Sequence, residues 1–238
     1  MDFYTAILPM RSKVEIMSKK QKFLLILNIG MLIVLSIVLW NVISKNNQKP
    51  ENRIFPSVVQ ITDGNYLGNG SIINKGKAEV ILVTTKHLLE NGDVTTVTFF
   101  DGTKTNGEVV YISEIHDIGF VSVSSKNITE ECYNQIKEVD YSEKKFNKLK
   151  QDEAMQYAYL KESGFCKLVK GRIGNPSWYV EEFGDYMLYN YCEALPGMSG
   201  CGAFDKKGRY IGMLIGGYDN ESGCLPLTVI LEEYQNNL

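Results

Sequence analysis

The sequence predicts an all-β fold, two antiparallel barrels packed together, carried behind a single N-terminal transmembrane helix. Three observations predict it. Short runs of Val, Ile, Thr and Phe recur through residues 55–125 with turn signals between them, a second strand-rich series fills residues 154–238, and an uncharged apolar run precedes both. A chain of 238 residues that is 44% hydrophobic holds enough apolar surface for a substantial folded body. Charge is unevenly spread. Residues 1–44 hold Arg11, Lys13, Lys19, Lys20 and Lys22 against only Asp2 and Glu15, which leaves the remainder acidic in a chain of net charge -3. An acidic body argues against a nucleic-acid partner.

The apolar run, Phe23–Ile43, is about the ~20 residues that a helix needs to cross a bilayer. Lysines crowd its N-terminal side and Trp40 stands near its far end. Positive charge stays inside and aromatic rings anchor at the interface, which puts residues 1–22 in the cytoplasm and the body outside, at the cell membrane in a single pass. A cleaved signal peptide is the competing reading, but the run exceeds the usual ~7–15 residues and no small-x-small site follows it. Residues 44–54, polar and containing Pro50, read as a short tether.

In the first half of the body, "SVVQIT", "GSIIN", "EVILVTT", "VTTVTFF", "EVVYIS" and "IGFVSV" give six strands, punctuated by Asp101-Gly102 and Asn106-Gly107. Six strands at this spacing fit one barrel. Residues 126–153 are charged and lack sustained alternation, so they read as the inter-barrel connection, with a helical turn permitted within them. Beyond them "AMQYAYL", "FCKLVKGRIG", "SWYVEEF", "YMLYNYCEA", "CGAFD", "RYIGMLIGG" and "LPLTVI" read as strands of the second barrel, closed by a short helix in "LEEYQNNL". A cleft between two barrels is the natural place for a site.

The stretch "ALPGMSGCGAF" supplies a candidate nucleophile, Ser199, two residues after Gly197 and directly before Gly200. Glycine two positions ahead lets the backbone bend until the Gly197 and Ser199 N–H groups converge on one point, where an oxyanion can sit. A serine nucleophile needs a base beside it and a group that orients the base. Histidine, with an ordinary pKa near ~6.5, both takes and returns a proton. Two are present: His87 at the end of a strand, and His116 next to Asp117. Five cysteines (Cys132, Cys166, Cys192, Cys201, Cys224) follow the apolar run, where disulfides are allowed; the number is odd and the pairing stays open. With no C-x-x-C and two histidines, no structural metal site is expected.

His87, Asp117 and Ser199 follow one another in the His…Asp…Ser order of chymotrypsin-like enzymes. "VVQITDGNYLGNGSIIN" with "ILVTTKHLL", then "VTFFDGTKTNGEVVYISEIHDIGFVSV", "KLVKGRIG", "ALPGMSGCGAFDKKGRYIGM" and "LPLTVI" resemble successive segments of that family over residues 55–232. They look closest to the bacterial HtrA/DegP-like serine proteases. The resemblance implies two packed six-stranded antiparallel barrels, with His87 as general base, Asp117 as the orienting carboxylate, Ser199 as nucleophile and the N–H groups of Gly197 and Ser199 as the oxyanion hole. His116 is then outside the chemistry. Many relatives carry a peptide-binding PDZ domain after the protease, and this chain is expected to lack one.

This chain departs from the family at several positions. Met198 stands where the family has Asp or Asn, so activation by a new N-terminus paired to a buried acid is not expected. Cys201 and Gly202 replace Gly and a frequent Pro. Cys201 is expected to be a buried small residue or half of a disulfide. Lys86 precedes the base and is expected to be exposed. Counting back six residues from Ser199 reaches Glu193, which aligns with the base of the primary specificity pocket, with Gly216 and Gly217 leaving its entrance open. An acid there selects a basic side chain, whereas HtrA-like pockets are usually apolar. The resulting expectation is a membrane-anchored extracytoplasmic serine endopeptidase acting on a protein or peptide substrate, with no cofactor and no metal. The alternative is a catalytically inactive protease-fold module that binds peptides or partner proteins at the membrane.

Overall fold

The structure is a computed structural model that describes residues 18–47, 49–64, 66–90, 92, 94–161 and 165–238. The chain divides into two units after Gln48. The first contains one helix, α1 (Lys19–Asn47), long and apolar enough to cross a membrane, with no buried residue in its apolar window. At ~1.5 Å per residue its 29 residues exceed a hydrocarbon core of ~30 Å. The helix continues through residues 44–47, so the expected tether is helical for its first four positions. The expected cytoplasmic segment falls, up to residue 17, outside the described residues.

The second unit opens with a single helical turn, α2 (Glu51–Ile54), and then builds both barrels. The first comprises β1 (Val58–Asp63), β2 (Tyr66–Lys75), β3 (Glu79–Thr84), β4 (Val94–Phe99), β5 (Lys104–Ile112) and β6 (Gly119–Ser124). They close in the order β1-β2-β3-β6-β5-β4, all pairs antiparallel. The second comprises β7 (Ala154–Leu160), β8 (Cys166–Val180), β9 (Asp185–Tyr191), β10 (Gly202–Asp205), β11 (Tyr210–Tyr218) and β12 (Glu221–Pro226), closing as β10-β11-β12-β9-β8-β7. Closure leaves neither sheet with an open edge.

Two expected elements differ. "FCKLVKGRIG" and "SWYV" form one long strand, β8, because register shifts at Ile173/Asn175 and Asn175/Trp178 carry the pairing past Pro176. "LPLTVI" is split. Pro226 ends β12, and its extended φ of -66° and ψ of 151° make it the N-cap of α5 (Leu227–Asn237), which buries Leu227, Ile230 and Leu231. The connection between barrels contains two short helices, α3 (Glu130–Gln135) and α4 (Glu143–Phe146); the Thr129 hydroxyl caps α3 by accepting the Cys132 N–H at 3.2 Å.

Apolar side chains gather in three clusters. Ile61, Leu82, Val97, Phe99 and Val121 fill the first barrel, and Met155, Tyr157, Ile173, Leu188 and Leu214 the second. The third lies between the barrels, where Ile73, Val83 and Phe120 meet Leu160, Phe204, Tyr210 and Met213, with α5 added on top. Alternation along each strand makes this possible: one face fills its own barrel and the other packs on its neighbour. All five cysteines are free thiols.

Candidate active site

β3 runs apolar and buried to Thr84 and then turns through one 3₁₀ turn, Lys86–Leu88. Leu88 and Leu89 point into the first barrel core, which turns His87 outward between them and the strand end. Asp117 lies in the loop between β5 and β6. Its Oδ2 meets His87 Nδ1 at 2.6 Å and its Oδ1 accepts the His87 backbone N–H at 3.0 Å. Both carboxylate oxygens are thus committed to one residue, fixing the ring as well as the turn. With Nδ1–H donated to the carboxylate, Nε2 carries the lone pair. The hydrogen bond from Asp117 raises the His87 pKa, burial works against it, and the charges of Asp117 and Glu90 raise it further. Lys86 is half-buried rather than exposed, and its ammonium donates to Ser113 O at 2.9 Å, back onto the loop that carries Asp117.

Ser199 lies between Gly197 (φ +84°) and Gly200 (φ +81°), both in the left-handed region that glycine tolerates. Gly200 is also irreplaceable on space: a Cβ there would lie 2.0 Å from Asn69 O and 2.5 Å from Thr84 Oγ1. The tight approach brings the serine loop against the strand end that leads into His87. Gly68 in β2 bridges the same place, its Cβ position falling 2.6 Å from Leu88 and 3.0 Å from Ser199 O. Among the described residues, the N–H groups of Gly197 and Ser199 donate to no protein acceptor. Two unpaired, adjacent donors beside a serine match what a developing oxyanion requires. Ser199 Oγ makes no hydrogen bond among the described residues, and His87 Nε2 instead stands 3.5 Å from Thr85 Oγ1. The structure therefore pairs His87 with Asp117 and shows no hydrogen bond between Ser199 and His87 among the described residues.

One residue of this site was not legible in the sequence. Asn69, fully buried in β2, bonds to both sides of the barrel interface. Its Nδ2 donates to Gly197 O at 2.8 Å, its Oδ1 accepts the Leu160 N–H at 2.7 Å, and its backbone N–H donates to Ser199 O at 2.7 Å. The Thr84 hydroxyl completes the set by donating to Asn69 O at 2.6 Å.

The other singled-out positions resolve as follows. Met198 is fully buried in the second core, an apolar filling where an acid would need a partner. Cys201 is also fully buried, a free thiol whose pKa burial pushes well above its ordinary value, which removes it as a nucleophile. His116 lies apart from His87, held to β9 by Asp185, with His116 Nδ1 and Asp185 Oδ2 2.6 Å apart. Cys192 turns inward, 3% exposed, so Glu193 next to it turns out to solvent. Gly216 lies under the Phe183 ring, 3.3 Å from its Cβ position, and a Cβ on Gly217 would stand 2.9 Å from that of Ala194. Gly216 is half-buried and Gly217 exposed. Beside the serine loop a groove of about 420 Å³ is lined by Leu67, Tyr159, Leu160, Lys161, Leu195, Pro196 and Gly197.

Comparison with solved structures finds the HtrA-type protease AlgW with a tripeptide, at TM-score 0.65 and 16% identity, covering 79% of this chain and 62% of that one. It also finds the Rv3671c protease of M. tuberculosis in an inactive form, at TM-score 0.64 and 15% identity, covering 80% of this chain and 93% of that one. This chain thus spans under two thirds of AlgW, and at these identities the likeness is one of fold. No match was found among curated protein sequences. The family model described as a trypsin-like peptidase domain matches residues 68–213. Because that match runs from β2 to β11, across both barrels, and takes in positions 87, 117 and 199 together, the chain belongs to the trypsin-like peptidase family.

Proposed function

We propose that the protein is a membrane-anchored serine endopeptidase, with its barrels outside the cytoplasm, that cleaves peptide bonds through an acyl-enzyme. The observation that carries this reading is the double engagement of His87 by Asp117, which leaves an imidazole with Nε2 unprotonated, together with a serine loop whose Gly197 and Ser199 N–H groups are free. Rotation of the Ser199 hydroxyl toward Nε2 makes the missing bond; such contacts commonly tighten only when substrate is bound. His87 takes the hydroxyl proton as Oγ attacks the peptide carbonyl. The Gly197 and Ser199 N–H groups receive the oxyanion, and His87 returns the proton to the leaving amine. Water then repeats the sequence on the ester and frees Ser199. The groove next to Gly197, lined by apolar side chains and by Lys161, offers a resting place for the chain beside the scissile bond. In support of the anchor, α1 has the length and composition of a membrane span, with lysines at its first turn.

The unmade bond to Ser199 and the contact of Gly217 with Ala194 favour a second reading, a protease-fold module that binds without cutting. Fluorophosphonate labelling of the full chain in detergent separates the two. Peptidase function requires a stable adduct on Ser199 that is lost in Ser199→Ala and His87→Ala; an unlabelled wild type would sink it.

A further inference from the structure

We infer that the Asn69 side chain is a positioning residue for the oxyanion hole, acting through the Gly197–Met198 peptide. The inference rests on the peptidase reading above and adds to it a residue from the other barrel. The hole is offered by two peptides, the one ending in the Gly197 N–H and the one ending in the Ser199 N–H. The Gly197–Met198 peptide lies between them. A peptide unit is a rigid plane, so fixing the middle one at both ends leaves its neighbours only the rotations at the Gly197 and Met198 Cα atoms. Its N–H end is held by Leu195 O at 3.0 Å, and its carbonyl end by Asn69 Nδ2 at 2.8 Å. The carbonyl two positions on, Ser199 O, is held by the Asn69 backbone at 2.7 Å, and the Met198 O between them accepts the Cys201 N–H at 2.9 Å. One residue thus holds the carbonyls on both sides of Met198.

The amide cannot turn over and do the same work. Its Oδ1 accepts the Leu160 N–H at 2.7 Å; a turned amide would set donor against donor there and oxygen against oxygen at Gly197, so Nδ2 must face Gly197 O. With Asn69 fully buried, no solvent replaces any of these bonds. The two glycines, at φ +84° and +81°, give the loop backbone freedom that must be removed before the donors stay aligned. Asn69 removes it from the first barrel, across the interface; among the described residues, no side chain of the serine loop's own barrel bonds to Gly197 O.

The test compares Asn69→Ser with Gln60→Met in the full chain in detergent. Gln60 Nε2 also makes a buried bond across the barrel interface, to Leu160 O at 3.1 Å, but does not reach the serine loop. The two substitutions therefore remove similar stabilising contacts and differ in the hold on Gly197. Asn69→Ser is expected to lower kcat about 10–100-fold with KM within about twofold. Affinity for a peptide boronate, which forms a tetrahedral adduct on Ser199, should fall by the same factor. Gln60→Met should keep kcat within about twofold. The inference is overturned if Asn69→Ser loses no more kcat than Gln60→Met, or if the loss lies in KM alone. Asn69→Asp, equal in shape and able to accept from Leu160 but unable as a carboxylate to donate to Gly197, carries the same comparison should the serine variant not fold. Failure of both to fold while Gln60→Met folds would make Asn69 a residue of folding alone and overturn the assignment. A wild type that neither cleaves nor labels is a different result: it removes the peptidase reading itself.

Discussion

Asp117→Asn isolates what the carboxylate does for the imidazole. In the wild type both oxygens accept, one from the ring and one from the His87 backbone, at 2.6 and 3.0 Å. An asparagine has one acceptor. If it keeps the backbone N–H, its amide nitrogen faces Nδ1 and forces the ring proton to Nε2, where it blocks the approach to Ser199. Wrong-tautomer enzymes of this type lose about 10⁴ in kcat, or about 5.4 kcal/mol at ~1.36 kcal/mol per tenfold. The pH profile should move as well. His87 acts as a base only when neutral, and Asp117 is the main cause of its raised pKa. The acid limb of kcat/KM in the wild type should therefore lie above ~6.5, and residual activity of the variant should show it shifted down. Stability should change little, because the His87 and Asp117 side chains are 46% and 29% exposed and such pairs contribute about 0.2–1 kcal/mol. Its sign is fixed. A raised folded pKa means the contribution is full below the unfolded value near ~6.5 and is lost as pH rises through the folded value, so wild type and variant should differ in denaturation midpoint more at pH ~6 than at pH ~9. The assay is kcat/KM for a chromogenic peptide from pH ~5 to ~10, with urea melts at the two ends. A loss under about 100-fold, or an acid limb that stays in place, would refute the tautomer argument.

Gly200→Ala should destabilise the protein by about 3 kcal/mol or more, since a Cβ there meets the Asn69 backbone at 2.0 Å as well as an unfavourable φ. Gly197→Ala should lose only about 1 kcal/mol, because its Cβ meets nothing closer than Leu67 at 3.9 Å; equal losses in chemical denaturation would show that the clash relaxes. Full-length protein should stay with membranes after a high-salt wash and leave its C-terminal body open to protease added outside the cell. Release in the wash contradicts the anchor.

The first barrel was legible because its strands are short and rich in β-branched residues, and each expected run overlaps one observed strand; of the two turn signals Asp101-Gly102 holds, whereas Asn106-Gly107 lies inside β5, paired with Thr96 and Thr95. The second misled in two places for local reasons. Pro176 looks like a break, yet a shift in register accommodates it; Leu225–Ile230 is apolar and β-branched, yet Pro226 sets the backbone for a helix that buries the same residues on α5. The His87–Asp117 pair followed from chain order and family segments. Glu193 was placed by counting, and a count along a loop fixes a position without fixing which way the side chain turns. Asn69 had no signal at all. Its partners lie 91 and 128 residues away, and nothing in "LGNGS" distinguishes a clamp from a turn asparagine.

The burial of Asn69 bears on how the protein can be produced. Asn69-Gly70-Ser71 is an acceptor triplet for N-linked glycosylation, and in a host that glycosylates, the sugar is added to the nascent chain before the barrels close. A glycan on Asn69 could not be enclosed in a site with no solvent access, packed against Gly197, Leu160 and Thr84. Material made in a eukaryotic secretory pathway would therefore divide into a fraction unmodified at Asn69 that folds and a fraction glycosylated there that is held in quality control, whatever is added at the other two acceptor triplets, Asn127 and Asn220, whereas a bacterial host without this modification would yield one species.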